Sequence, residues 1–128
     1  ARAGENVNVG LKDIKESDVS QGFMLCDPEH PIPVVTEFEA QLMIIETLPH
    51  KPIISAGYTS IIHVHTCTEE VMIESLTSQL NKKTRKPSKR PPTFVKKGDI
   101  VNCWLRAEKG ISIELYETIR QLGRFTLR

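Results

Sequence analysis

An all-β sandwich or barrel is the fold class that this sequence predicts. Apolar and polar residues alternate with period two through most of the chain, turn residues separate the alternating runs, and no long helical pattern occurs. The chain has 128 residues, which suits one domain with a core of its own. We therefore expect short antiparallel strands that each bury one face.

Each strand is predicted from its own alternation. About six runs alternate in this way, and they lie at residues 36–46, 58–67, 70–80, 99–107, 111–116 and 124–128. Turn residues separate them at positions 26–28, 49–52, 56–57, 97–99 and 109–110. The one helical signal is a single turn within residues 14–19.

Residues 81–92 are predicted to form a basic loop. No acidic residue lies between Ser75 and Gly98, whereas eight of the 17 Lys and Arg residues do. Prolines in the loop remove backbone donors, so we expect it to tip a hairpin whose arms are residues 70–80 and 93–96. Either a solvated loop tip or an RNA contact fits this pattern. The candidate RNA contacts are Lys82, Lys83, Arg85 and Lys86.

Sequence signatures of catalysis and membrane insertion are missing. The chain holds no GxxxxGK[ST] phosphate loop, no GxGxxG turn and no GxSxG elbow. It shows no apolar run near the roughly 20 residues of a membrane span, and no secretory signal. Its three cysteines are distant in sequence, which favours reduced thiols. We expect a cytoplasmic module that is not an enzyme.

One cluster has the residue types of a metal site. His63, His65 and Cys67 are spaced by two, so an extended chain would direct all three side chains to one face. A zinc site would need a fourth ligand from elsewhere. The favoured interpretation is a strand with a polar outer face and no metal.

Two adjacent carboxylates, Glu69 and Glu70, are the nearest approach to an acid–base pair. Neighbouring strand residues point to opposite faces, so the two groups cannot share one site. We expect both to be solvated.

The C-terminal residues 124–128 alternate as a strand. Arg124, Thr126 and Arg128 fall on one face, and Phe125 and Leu127 on the other. The apolar pair suits the core, whereas guanidinium groups on an exposed face suit bidentate pairing with carboxylates of a partner.

Several segments together resemble the last domain of translational GTPases related to elongation factor Tu and elongation factor 1-alpha. Residues 3–7 and 14–22 look like the end of the second domain of that family, and residues 36–41 look like the first strand of the third. The motifs AGY (56–58), FVKKGD (94–99) and LGRF (122–125) follow in family order. The resemblance implies an antiparallel Greek-key β-barrel of the translational-GTPase third-domain type.

Three segments favour one branch of this family. HVHTCTEEV (63–71), GFMLCDP (22–28) and GRFTLR (123–128) resemble the eukaryotic class-II release factor, the GTPase partner of the stop-codon-reading factor. The ribosome-rescue GTPase that partners pelota is the alternative.

The resemblance also implies a place in a larger protein. Residues 1–28 would be a remnant of the preceding β-barrel domain and its connector, and residues 29–128 the C-terminal barrel. In the family a Gly-containing loop and a closing strand follow the position of Arg128, so we expect an open barrel whose edge favours association. No cofactor is expected in this chain, since GTP and Mg²⁺ would bind to the GTPase domain of the longer protein.

By the same resemblance, the chain would dock the class-I release factor at the ribosome and couple GTP hydrolysis to peptide release, without contact to membrane or DNA. The expected partner-binding residues are Arg124, Phe125, Thr126 and Arg128, followed by His63, His65, Glu69 and Glu70. An RNA-contacting module that uses the basic loop is the second hypothesis, and a zinc protein is the last.

Overall fold

The described residues form a curled antiparallel sheet of five strands and a ribbon of two strands. The structure, a computed structural model, describes residues 1–80, 83–84 and 86–128. In this part of the chain the elements are β1 (Val34–Met43), β2 (Ile53–Ser55), β3 (Thr59–Val64), β4 (Cys67–Leu80), β5 (Phe94–Lys96), β6 (Ile100–Ser112) and β7 (Thr126–Leu127). A 3₁₀ turn at Glu16–Asp18 and a short helix α1 at Arg120–Gly123 complete them.

The sheet has the strand order β1-β6-β4-β3-β7, and every pairing in it is antiparallel. Strands that are distant in sequence lie side by side, as β1 and β6 do, so the chain crosses over rather than forming a meander. The predicted all-β antiparallel barrel is confirmed as an open, half-closed barrel.

Alternation along the strands builds the core as predicted. In β6 every second residue from Val101 to Ala107 is buried, and in β1 Leu42 is buried while Glu39 and Gln41 are exposed. The buried residues form two clusters, one around Leu105 and one around Ile62. Partly buried side chains that pack against both clusters are Phe38, Phe125 and Leu127.

β6 is one long strand, so the predicted turn at residues 109–110 is wrong. The strand continues to Ser112, and its end pairs with β1 through Val35 and Ile111. A Cβ added at Gly110 would lie only 2.6 Å from Cγ1 of Val34. The glycine therefore permits close approach of two strands and does not turn the chain.

The second arm of the predicted hairpin is also wrong. β5 does not pair with β4; it pairs with β2, where Ile54 lies opposite Val95 and both are buried. β4 pairs instead with β3 and β6. Burial of apolar surface favours the pairing of β5 with β2 over a pairing with β4. In the ribbon, Val95 is buried as part of one core cluster.

Residues 1–33 precede the sheet and contain the single predicted helical turn, confirmed at Glu16–Asp18. They contact the sheet where Gly22 meets the hairpin of β3 and β4: a Cβ at Gly22 would lie 3.0 Å from Cα of Cys67. The first strand begins at Val34. The domain boundary after residue 28 stays a prediction.

An open side separates the two edge strands. Residues 41–48, at the end of β1 and beyond it, and residues 123–128, around β7, line one cavity of about 860 Å³. Its apolar lining includes Leu42, Ile44 and Ile73. The barrel wall is therefore incomplete between β1 and β7.

Candidate protein-docking face

The tail of the chain is held as a strand at the edge of the sheet. Arg128 donates its backbone N–H to the carbonyl of Ile61 at 2.9 Å and accepts from the N–H of Ile61 at 2.8 Å. The hydroxyl of Ser60 donates to the same Arg128 carbonyl at 2.9 Å. β7 pairs Thr126 with His63. These bonds fix the register of the last residues.

This register directs polar tail residues to the outer face. Arg124, Thr126 and Arg128 are exposed, and Phe125 and Leu127 between them are half-buried. The predicted alternation of the tail is therefore confirmed. We use the name tail face for the outer surface formed by Arg124, Thr126, Arg128, Ile61, His63 and Glu70.

The tail face places opposite charges on either side of an apolar residue. Ile61 pairs with Glu70 on β4 and bonds to Arg128 on the other side, so the three residues form one cross-strand row. Neighbouring strands lie about 4.8 Å apart, which puts Arg128 and Glu70 roughly two strand spacings from each other. A partner can thus meet a cation, an apolar side chain and an anion in one row.

Four of the eight predicted contact residues share this surface through strand pairing: Thr126 with His63, and Arg128 with Glu70 through Ile61. Arg124 adjoins them along the tail. Ile61 was not among the predicted contact residues. The signal that could have identified it is its alternation with buried Ile62.

Phe125 points to the core instead of the partner side. Its ring meets Phe38 edge to face, with ring centroids 5.9 Å apart and planes at 82°. It packs against both core clusters. Its predicted role as a contact stays a prediction, and the structure gives it a packing role.

The tight turn at His65 separates the residues of the proposed metal cluster. β3 ends at Val64, and His65 takes a left-handed φ of 52°. Cys67 then begins β4 opposite Val64, and both are buried, while His63 belongs to the outer face. The expectation that His63, His65 and Cys67 share one face is therefore wrong, because the chain reverses between them.

Glu69 and Glu70 diverge as predicted. Glu70 is exposed on the tail face, whereas Glu69 pairs with fully buried Ile62 and is itself half-buried. The carboxylate of Glu69 assists burial in raising the pKa of the Cys67 thiol. Glu69 is thus turned away from the tail face.

The basic loop is only partly described. Lys83 and Lys86 are exposed, whereas Lys82 and Arg85, the other two predicted RNA contacts, lie outside the described residues. At the base of the loop, the N–H of Ser88 donates to the carbonyl of Gln79 at 2.8 Å. The predicted RNA role of the loop stays a prediction.

Carboxylates dominate another part of the outer sheet surface. Arg106 lies between Glu37 at 3.1 Å and Glu74 at 3.7 Å, and all three side chains are about half exposed. Trp104 lies one pleat away in β6 and is 38% exposed. Such exposed ion pairs stabilise a fold by about 0–1 kcal/mol each.

One group of possible metal ligands occurs in the described residues: Asp27, Glu29 and His30, all exposed. A local turn accounts for it, because Asp27 accepts the N–H of Glu29 at 3.0 Å through its side chain and that of His30 at 3.0 Å through its carbonyl. In the described ranges, no helix has the length and apolar content to cross a membrane.

Fold and site together define an all-β, barrel-type domain with a charged face on its terminal strand. The chain belongs to the GTP-eEF1A C-terminal domain-like family, whose model matches residues 37–128. The resemblance to translational GTPases is thus confirmed at the level of the family.

Curated relatives narrow the comparison. The chain is 42% identical over its full length to the eukaryotic peptide chain release factor GTP-binding subunit of Zygosaccharomyces rouxii, and 40% identical to that of Kluyveromyces lactis. It spans only 19% and 18% of the length of these proteins. The similarity to release factors therefore holds for this part of them.

Two solved structures have the same fold as most of this chain. A crystal structure of sup35 complexed with GDP matches 88% of this chain with a TM-score of 0.81 and 37% identity, and this chain covers 27% of that one. A second structure, complexed with GMPPNP, matches equally at 36% identity. The fold of this chain is thus shared with part of two experimentally determined sup35 structures.

Proposed function

We propose that this chain is the protein-docking barrel of a translation-termination GTPase and that its tail face binds the stop-codon-reading class-I release factor. Support comes from the relatives, which are named as GTP-binding subunits of release factors. In a longer protein, a separate domain would bind GTP and Mg²⁺. Docking would then couple GTP hydrolysis to peptide release at the ribosome, in the cytoplasm.

The observation that carries this proposal is the fixed geometry of the tail. Two apolar side chains, Phe125 and Leu127, pack into the core, and backbone bonds join Arg128 to Ile61. The exposed side chains Arg124 and Arg128 therefore project from an ordered backbone. A surface that is ordered before binding loses less conformational entropy when a partner docks.

The chemistry of the face suits a partner surface with carboxylates. Guanidinium groups form paired hydrogen bonds with carboxylates and remain charged at neutral pH. Arginine is also enriched among the residues that dominate binding energy in protein interfaces. On the far side of Ile61, the exposed carboxylate of Glu70 can pair with a cation of the partner.

Alanine variants of the two arginines test the proposal. We expect Arg124→Ala and Arg128→Ala each to weaken binding of purified class-I release factor by about 2 kcal/mol, close to 30-fold, as measured by isothermal titration calorimetry. Arg106→Ala is the matched control, since Arg106 is an exposed arginine of the same sheet that lies outside the tail face. Equal affinities of all three variants, with folds intact by circular dichroism, would remove the arginines from the interface.

A second titration distinguishes the two branches of the family. The same chain is titrated with pelota under identical conditions. Preference for the release factor supports termination, whereas tighter binding of pelota would assign the domain to ribosome rescue.

A further inference from the structure

The outer side of the β2–β5 ribbon exposes an aromatic ring next to lysines. Ile54 and Val95 are buried under the ribbon, so Ile53, Phe94 and Lys96 point outward. Phe94 is 51% exposed and Ile53 is 50% exposed. Strand pairing sets Ile53 opposite Lys96, which places Phe94 diagonally beside Ile53. We call this surface the ribbon face.

Lysines continue beyond the strand end. Lys97 is exposed in the turn that follows β5, where the N–H of Asp99 donates to the carbonyl of Lys96 at 3.0 Å. Asp99 itself is buried, and its carboxylate accepts the N–H of Lys96 at 3.0 Å. This acid therefore holds the turn through its hydrogen bond to the backbone of Lys96.

Further cations lead to the ribbon from the basic loop. Lys89 and Arg90 are exposed, and prolines follow them directly. Phe94 follows Arg90 by four positions, so their Cα atoms lie at most about 14 Å apart. No acidic residue interrupts the sequence from Ser75 to Gly98.

We propose that the ribbon face binds single-stranded RNA, with a base stacked on Phe94 and the flanking phosphates on Lys96 and Lys97. A half-exposed aromatic ring among lysines, without competing exposed carboxylates in the segment, is the combination that single-strand-binding proteins use. Arg90 and Lys89 extend the cationic track by a few nucleotides. The site is separate from the tail face and does not depend on release-factor docking.

RNA fits this surface better than an apolar protein partner. The exposed apolar residues of the two ribbon strands are Ile53 and Phe94, a small apolar area for the core of a protein interface. The charged residues from Ser75 to Gly98 are all basic, as binding to a phosphate backbone requires, whereas protein interfaces are depleted in lysine. A stacked base needs only one ring face, which Phe94 supplies.

Fluorescence anisotropy with the 128-residue chain and a labelled oligouridine of about 12 nucleotides tests the proposal. We expect Phe94→Ala to weaken binding by about 5- to 150-fold, the usual contribution of one stacked base. Phe94→Trp should keep the affinity, and Phe94→Leu, which retains apolar bulk without a ring, should lose it. Affinity that Phe94→Leu preserves would overturn base stacking.

The lysines are tested by salt. Each phosphate contact to a single strand contributes about 0.7 to the slope of log affinity against log salt. Lys96→Ala and Lys97→Ala should therefore each flatten that slope by about this amount. A slope that neither variant changes would overturn the assignment of phosphates to these residues.

Trp104→Ala is the matched control, because Trp104 is an exposed aromatic residue on the carboxylate-rich surface. It should leave RNA affinity unchanged, while an equal loss in Trp104→Ala and Phe94→Ala would contradict a site on the ribbon. A blunt duplex of the same length should bind more weakly than the single strand, and equal binding would contradict the stacking model. Release-factor titrations with Phe94→Ala report separately on the tail face.

Discussion

Cys103 shows how one buried thiol makes the stability of the fold depend on pH. Burial in β6 and, to a smaller extent, the carboxylate of Glu39 raise the pKa of this thiol to about 11 from its usual 9.0. The unfolded chain ionises the thiol at lower pH than the folded protein does. The contribution of this thiol to the free energy of unfolding is therefore fully present below its pKa in the unfolded chain. It is lost as the pH rises through its pKa in the folded protein.

Replacing Cys103 should remove that part of the alkaline destabilisation. Between pH 9 and pH 11, ionisation of this thiol should lower the free energy of unfolding of the parent protein by about 2 kcal/mol, and Cys103→Ala should not show that loss. Urea unfolding with reductant at both pH values measures the difference. Cys26→Ala, at an exposed cysteine, is the control and should follow the parent protein. Parallel pH profiles for parent and Cys103→Ala would contradict the role of the buried thiol.

Gly123 is required by close backbone contact. An added Cβ would overlap the backbone N and Cα of Tyr116, which cannot rotate away as a side chain does. We expect Gly123→Ala to lower the free energy of unfolding by about 2 kcal/mol. Gly10→Ala, where no atom lies within 4 Å of the added Cβ, should change it little. Equal thermal melts of the two variants would show that the tail accommodates the methyl group.

At the scale of elements, the tail strand depends on Phe125 more than on its own length. β7 is only two residues long, and the ring of Phe125 joins it to β1 through Phe38. Phe125→Ala should destabilise the fold by about 2–4 kcal/mol, and Phe125→Leu by less, because leucine fills most of the volume.

The same pair of variants decides how Phe125 affects docking. If the ring acts by packing, Phe125→Leu keeps release-factor affinity near that of the parent chain, as calorimetry will show. A large loss of affinity in a stable Phe125→Leu protein would place the ring in the interface itself.

Local pattern predicted the strands but not all their partners. The alternation in β1, β4 and β6 was sufficient to identify their buried faces, because burial of one face imposes period two. The pairing of β5 with β2 depends on the tertiary packing of Val95. A strand of three residues is too short for its sequence pattern to predict that packing. Gly110 was mistaken for a turn residue, since close approach to Val34 has the same sequence signal.

Residues of the candidate site were predicted correctly where the backbone is extended and wrongly where it turns. Arg124, Thr126 and Arg128 were placed correctly, because the tail stays extended. His65 and Cys67 were misplaced, since a tight turn at His65 reverses the chain within the run. Phe94 was missed as a surface residue because its ribbon partner was unknown, so no face could be assigned to it.

At the scale of the whole molecule, the open side leaves two strand edges unpaired in the described sheet. β1 and β7 each have one neighbour, and the cavity between them has Leu42, Ile44 and Ile73 among its lining residues. Unpaired edges favour pairing with another chain. We therefore expect reversible association that increases with concentration.

Multi-angle light scattering from about 1 to 100 µM measures this association. Ile45→Lys should reduce it, because Ile45 is 73% exposed beside the open side and a lysine disfavours edge pairing. Leu25→Lys is the control, since Leu25 is 82% exposed in the segment before the sheet. A constant monomer mass over the whole range would show that the open side does not mediate association.

The extended backbone of the tail also fixes the distance between Arg124 and Arg128. Strand residues advance about 3.3 Å each, so Arg124 and Arg128 are set roughly 13 Å apart on one side of the chain. A partner that engages both must present its acceptors at that separation, which equals about nine residues along an α-helix. Because Phe125 and Leu127 hold the alternate positions in the core, a single-residue insertion between the arginines would turn one of them inward. Packing of the tail in the core thereby restricts the spacing of acceptor groups on a partner that binds both arginines.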